Sequence, residues 1–283
     1  SGQIIPRNFP LEITARGIGP ALATGNAVVV KTPELDPLSH FIFGEAAEAA
    51  GFPAGAVNML CGHGAEAGAA LTAHPDVGQV VFTGSVQTGT AVAVAAARRV
   101  VPCVGELGGK SAGSVYPDAD RAKVLDSVRW GIYFNAGQVC SAFSRILVHE
   151  SIHDEMVERV SELAKSLSVG HGMERPTFGA NMGAMVSEAQ RARAEGLCQR
   201  AQSEGARAVT GGRKLNQPGY FFEPTVFDGV TPEMNIAQEE VFGPVISVMT
   251  FSDDDEAIRM ANNTDYGLVA GVFTKDLDRA TAA

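Results

Sequence analysis

The sequence predicts an α/β protein built on parallel sheet and divided into two lobes. Short β-branched runs alternate with helical stretches through the first third of the chain. Such alternation calls for crossover helices between parallel strands. The glycine-rich stretch Gly105-Glu106-Leu107-Gly108-Gly109 then separates this third from a longer mixed region. It sets the expected boundary, with one lobe over 1–108 and the other over 109–283. A length of 283 residues, at roughly 150 per domain, fits the same division. With 45% apolar and 19% charged residues, the chain has the composition to bury a core rather than remain disordered.

The elements follow in order. Ala27 to Val30 reads as a buried strand, and His40 to Ala50 as a helix closed by Gly51 and Pro53. Val57 to Leu60 is a strand, Ala65 to Ala73 a helix, and Gln79 to Phe82 a strand. Ser85 to Arg99 is a helix with Ser85 as its N-cap and two arginines at its negative end. Val101 to Val104 closes the first lobe as a strand. Beyond the boundary, Val124, Leu125, Val128 and Ile132 share one helical face. Ile146 to Val148 is a strand. The apolar residues from Ile152 to Leu167 mark a second helix, and Ser187 to Ser203 a third. Strands follow at Ala206–Val209, Phe221–Phe227, Val245–Phe251 and Val269–Phe273, and a last helix starts near Asp276.

Charge and cysteine usage exclude several classes. The net charge of −10 makes nucleic acid and anionic membrane poor partners. The longest apolar run, Ala91 to Ala97, falls well short of the ~18 residues of a membrane helix. No basic stretch followed by an apolar one opens the chain, so no secretory leader is visible in it. Cys61, Cys103, Cys140 and Cys198 are widely spaced, with no Cys-x-x-Cys and no Cys/His cluster. No metal site or disulfide framework is expected, and a reducing cytoplasm fits best. The acidic run Asp253 to Glu256 reads as a helix start rather than a metal cluster.

Several segments carry chemistry, each with an ordinary reading beside the functional one. Phe82-Thr83-Gly84-Ser85 and Gly89 form a strand end, a turn and a helix start. Glycine there lets backbone approach a phosphate, and a helix N-terminus favours its charge. An ordinary capped turn would look the same. Lys31 and Glu34 follow a strand, where α/β sheets bind ligands, and the pair can hold a ribose or merely be solvated. Cys140, in Asn135-Ala136-Gly137-Gln138-Val139-Cys140, is a nucleophile or a small buried hydrophobe. The other cysteines take the second reading. Glu106, between glycines, is a mobile general base or a loop carboxylate in water.

Taken together and in this order, these motifs resemble the NAD(P)-dependent aldehyde dehydrogenase superfamily. The matching segments are Pro6-Arg7-Asn8-Phe9-Pro10, Lys31-Thr32-Pro33-Glu34, Phe82-Thr83-Gly84-Ser85 with Gly89, Glu106-Leu107-Gly108-Gly109-Lys110, Asn135 to Cys140, Glu239-Glu240-Val241-Phe242-Gly243-Pro244 and Asn263 to Leu268. The resemblance implies a Rossmann-like nucleotide domain and an α/β catalytic domain, each truncated, in an internal piece of a longer homo-oligomeric enzyme. It implies oxidation of an aldehyde to a carboxylic acid with NAD, and NADP as an alternative. Cys140 would attack the aldehyde, Asn8 would support the oxyanion, and Glu106 would activate water against the thioester. Lys31 and Glu34 would hold the adenosine ribose, Gly84, Ser85 and Gly89 the pyrophosphate, and Glu240 and Phe242 the nicotinamide end. Arg7 and Gly105 depart from the usual pattern. Two other readings stay open: release of the thioester to CoA, against which Glu106 speaks, and a silent scaffold, against which Asn8, Glu106 and Cys140 together speak.

Overall fold

The computed structural model describes residues 1–173 and 181–283. The chain divides into two compact units, Ser1–Gly108 and Gly109–Ala283.

In the first unit, β1 (Gly2–Ile4), α1 (Pro10–Ala23), β2 (Val28–Lys31), α2 (Ile42–Ala49), β3 (Val57–Leu60), α3 (Ala69–Ala73), β4 (Val80–Thr83), α4 (Val86–Arg98) and β5 (Cys103–Glu106) alternate along the chain. The strands form one sheet in the order β3-β2-β1-β4-β5, with every pair parallel. Strand order reverses at β1, which lies between β2 and β4. Val28 and Val30 join Ile13 and Ile18 of α1 in one apolar cluster. Val80 and Phe82 join Leu71 of α3 and Val92 and Ala96 of α4 in another. Val29 packs with this second set, as the two-residue period of a strand requires.

The second unit contains β6 (Ala112–Val115), α5 (Arg121–Val128), β7 (Arg145–His149), α6 (His153–Ser166), β8 (Ser168–Val169), β9 (Asn181–Met182), α7 (Glu188–Ser203), β10 (Arg207–Thr210), β11 (Thr225–Asp228), α8 (Asn235–Gln238), β12 (Val245–Phe251), α9 (Asp254–Asn262), β13 (Ala270–Phe273) and α10 (Leu277–Ala282). Its main sheet runs β10-β11-β12-β7-β6-β13. It is mixed, because β10 runs antiparallel to β11 while the other pairs are parallel. One continuous core joins this sheet to α5, α6 and α7.

Several elements differ from the sequence expectation. The helix expected over His40–Ala50 opens as a 3-10 turn, Leu38–Phe41, before α2. The one expected over Ala65–Ala73 is a π turn, Gly64–Gly68, followed by α3. The strand expected over Phe221–Phe227 is confined to β11, with Phe222 making an isolated bridge to Lys214. Pro224 lies between them and has no N–H to give a ladder. The strand expected over Val101–Val104 moves to Cys103–Glu106, after Val100 at φ 56° and Pro102. Glu106 therefore ends a strand rather than floating in a loop. Among the described residues, no helix is long and apolar enough to cross a membrane, and no group of His, Cys, Asp and Glu could hold a metal ion.

Candidate active site

In the first unit Asn8, Lys31, Glu34, Gly84, Ser85 and Glu106 stand at or just beyond the carboxyl ends of strands, the edge where α/β sheets bind ligands, and Gly89 lies within α4. Asn8 follows β1 and precedes Pro10, the first residue of α1. Lys31 ends β2, is almost fully buried, and places Nζ 2.8 Å from Glu34 Oε1. The Gly64 N–H donates to the same oxygen. Burial raises the Glu34 carboxyl, but the bonds from Lys31 and Gly64 outweigh it and hold the group below its usual range. Both contacts fall on Oε1.

Gly84 and Ser85 follow β4. Ser85 caps α4, its Oγ accepting from the Thr88 N–H at 3.3 Å. The first N–H groups of a helix lack intrahelical acceptors, so the start of this thirteen-residue helix offers donors to an anion. Gly89 packs under Leu107, leaving no room for a Cβ. Glu106 ends β5 as the register partner of Thr83, and its carbonyl accepts from the Gly84 N–H at 3.0 Å.

In the second unit the candidates come from the amino ends of three neighbouring strands. Gly109 precedes β6, Cys140 precedes β7, and Glu240 to Pro244 precede β12. The Gly109 N–H donates to Glu240 Oε1 at 3.1 Å. A Cβ on Gly109 would lie 2.5 Å from the Cys140 carbonyl oxygen. Gly109 thus brings the Cys140 backbone and the Glu240 carboxylate together. Cys140 itself is partly exposed.

The chain reaches Cys140 through a strained approach. Asn135, Ala136 and Gly137 lie at φ 52°, 53° and 72°. Two of these are non-glycine residues in the left-handed region, which costs roughly 1–3 kcal/mol each and concentrates at functional sites. The strain is held by packing, since a Cβ on Gly137 would overlap the Gly243 carbonyl. Phe242 is also left-handed, at φ 52°.

The aldehyde dehydrogenase family model matches residues 1–283. The chain belongs to the aldehyde dehydrogenase family. An aldehyde dehydrogenase of Emericella nidulans is 46% identical over 280 residues, covering 99% of this chain and 56% of that protein. A mouse cytosolic aldehyde dehydrogenase is 45% identical over the same length and is covered to 55%. Among solved structures, an aldehyde dehydrogenase from Bacillus cereus in complex with NAD+ superposes with a TM-score of 0.96. It is 41% identical, with 99% of this chain and 57% of that one covered. The chain therefore spans a little over half the length of the relatives it matches.

Within this family chain, some residues that shape the site gave no sequence signal. Gln190 of α7 donates to the Val241 and Phe242 carbonyls at 3.1 and 3.0 Å. Arg193 donates to the Glu240 carbonyl at 3.1 Å. One helix face thus grips three successive carbonyls. Gln138, buried, accepts from the Val186 N–H at 2.9 Å and donates to the Asn135 carbonyl at 3.0 Å. A polar residue at i and i+3 of a surface helix looks solvated in sequence, and only the fold shows what it reaches. Cys61 is exposed, which corrects its expected burial, while Cys198 is buried and Cys103 intermediate.

Lys110 is buried and its Nζ has no hydrogen-bond partner among the described residues. Burial, then Arg145, pushes its ammonium down to about 7 against the pull of Glu240, Cys198 and Glu239. Between that value and the ordinary 10.5 the unfolded chain binds more protons, so stability rises with pH across this window. Below it the ammonium is charged in both states and the full burial penalty persists. Lys110→Met is therefore expected to melt above the parent at pH 6, with the advantage shrinking from pH 7 toward 10. Thermal melts at pH 6 and 9 check this, and an advantage of equal size at both would refute it.

Proposed function

We propose that the full-length protein oxidises an aldehyde to a carboxylic acid with NAD(P)+, and that this chain supplies its nucleophile, its base and its cofactor contacts. The observation that carries the reading is the left-handed run Asn135–Gly137, which holds Cys140 on a backbone-locked loop beside Gly109 and Glu240. The first unit serves as the nucleotide-binding domain and the second as the catalytic domain.

In this reading the Cys140 thiolate attacks the aldehyde carbonyl, and Asn8 and the Cys140 N–H stabilise the resulting oxyanion. Such donors contribute about 3–4 kcal/mol each. NAD(P)+, when bound, accepts the hydride. The donor set of the first unit suits it. Glu34, oriented by Lys31 and Gly64, takes the ribose hydroxyls, and the α4 N-terminus with Gly84, Ser85 and Gly89 takes the pyrophosphate. Glu240 and Phe242 take the nicotinamide end. The Glu34 carboxylate opposes a 2′-phosphate, so NAD+ is preferred and NADP+ is the secondary cofactor. Glu106 removes a proton from the water that hydrolyses the Cys140 thioester. The assembled enzyme is a homo-oligomer in the cytoplasm, a compartment that suits four dispersed cysteines.

The test is aldehyde-dependent NADH absorbance by the full-length protein, with a panel of small aldehydes, with and without CoA. NADH formation without CoA is the expected result. Formation only with CoA would move the reading to thioester release onto CoA, and none in either case would reject aldehyde oxidation.

A further inference from the structure

We propose that Arg16 positions the Glu106 carboxylate for proton transfer from water, an inference that rests on reading Glu106 as the general base. Arg16 lies on α1, and its guanidinium forks across two strand ends. Nη2 donates to Thr83 Oγ1 at 3.2 Å, and Nη1 lies 3.6 Å from Glu106 Oε1. Thr83 and Glu106 are register partners at the ends of β4 and β5, so one planar group spans the gap between them. Among the described residues, no other side chain hydrogen-bonds or ion-pairs with the Glu106 carboxylate.

The pair is half exposed, at 51% and 37%, and as a surface ion pair it would add little to stability. Its geometry points to a different use. Gly105 has no atom within 4 Å of where its Cβ would lie. The β5 ladder still fixes the backbone there, so what remains free is the side chain, and the direction of the carboxylate is left to whatever holds its oxygens. A free arginine would sample many rotamers. The bond to buried Thr83 removes that freedom, and the fixed guanidinium then fixes the carboxylate.

During hydrolysis a water O–H bond breaks and its proton passes to Glu106 as the water oxygen bonds to the thioester carbon. The C–S bond then breaks, the sulfur leaves with the electron pair, and the proton on Glu106 returns to solvent. Arg16 keeps its own protons throughout. It acts through Glu106 and touches no reacting atom.

The test follows the acyl-enzyme directly in the full-length protein, with propanal and NAD+, by rapid quench and intact mass. Arg16→Met is expected to form the acyl-enzyme at the parental rate and lose it about 10-fold more slowly. Arg16→Lys, which keeps a cation, is expected to recover most of that loss. Thr83→Val, which removes only the anchor, should slow decay by a smaller factor, and it keeps the test decisive if Arg16→Met folds poorly. Glu106→Gln sets the lower limit, with decay slower by roughly 10²–10⁴. Parental decay in both Arg16→Met and Thr83→Val would overturn the proposal, as would formation and decay slowed in equal measure. Parental decay in Glu106→Gln would overturn the base assignment beneath it. Failure of the parent to form any acyl-enzyme would overturn aldehyde oxidation itself.

Discussion

Cys140→Ala in the full-length protein is expected to lower aldehyde-dependent NADH formation by about 10⁴-fold or more, the scale of losing a covalent nucleophile. The fold should be untouched. Cys140 is partly exposed, and its side chain is not among the buried core residues of the second unit, so truncation opens no cavity of consequence. NAD+ binding should also persist, because the nucleotide contacts assigned to the first unit do not involve it. The check combines the NADH assay with calorimetric titration of NAD+. Activity within 10-fold of the parent would remove Cys140 from the mechanism.

Gly137→Ala should be more damaging to the molecule as a whole. The added methyl would overlap the Gly243 carbonyl and approach Pro244 N. Those neighbours are main chain, so no flexible side-chain end can swing aside. The residue is also at φ 72°, where an L side chain is strained. Overpacking and strain each cost roughly 1–3 kcal/mol, so a loss of about 3 kcal/mol in stability is expected. Any relief must come from shifting the Cys140 loop, and a displacement of about 1 Å lowers turnover by about 100-fold. Gly196→Ala is the matched control. Gly196 lies inside α7 with open space around it, and alanine there should stabilise by about 1 kcal/mol. Denaturant melts of both variants decide the matter, and a neutral Gly137→Ala would show that the loop is not backbone-locked.

Much of the fold could be read from the sequence because its signals are local. Val57–Leu60 and Val245–Phe251 are strands over the residues expected. Ser85, Ser187 and Asp253 cap the helices they were expected to open. What could not be read depends on tertiary contact. The central strand β1 is three residues long, and one of them, Gln3, is a buried polar residue whose Nε2 donates to the Gly17 carbonyl at 2.8 Å. Nothing local marks it as a strand. β6, Ala112-Gly113-Ser114-Val115, is fully buried but has one β-branched residue. Its small side chains answer to the rings of Phe143 and Phe273, which crowd Gly113.

The candidate site divides in the same way. The types and order of Asn8, Glu106, Cys140 and Glu240 show in the sequence, since the proposed chemistry requires those side chains. Their supports do not. Ala136 does not announce a left-handed backbone, and Asn135, a residue type that enters this region more readily, gives only a weak local sign. Gln190 and Arg193 give no local signal for a related reason. Their partners are carbonyls some fifty residues away, and a carbonyl is the same in every residue.

The contact between the Cys140 loop and its neighbours is one main chain against another, at Gly109 and at Gly137. Peptide dimensions are common to all twenty amino acids, so sequence drift has few letters with which to alter that spacing. Side chains around the cysteine can be exchanged without moving the residue that bears the sulfur. Change at either glycine acts as a step, and change elsewhere on the loop acts as a gradient. On the proposed reading, a lineage can thus explore new aldehydes by degrees while the position of the attacking atom is inherited whole.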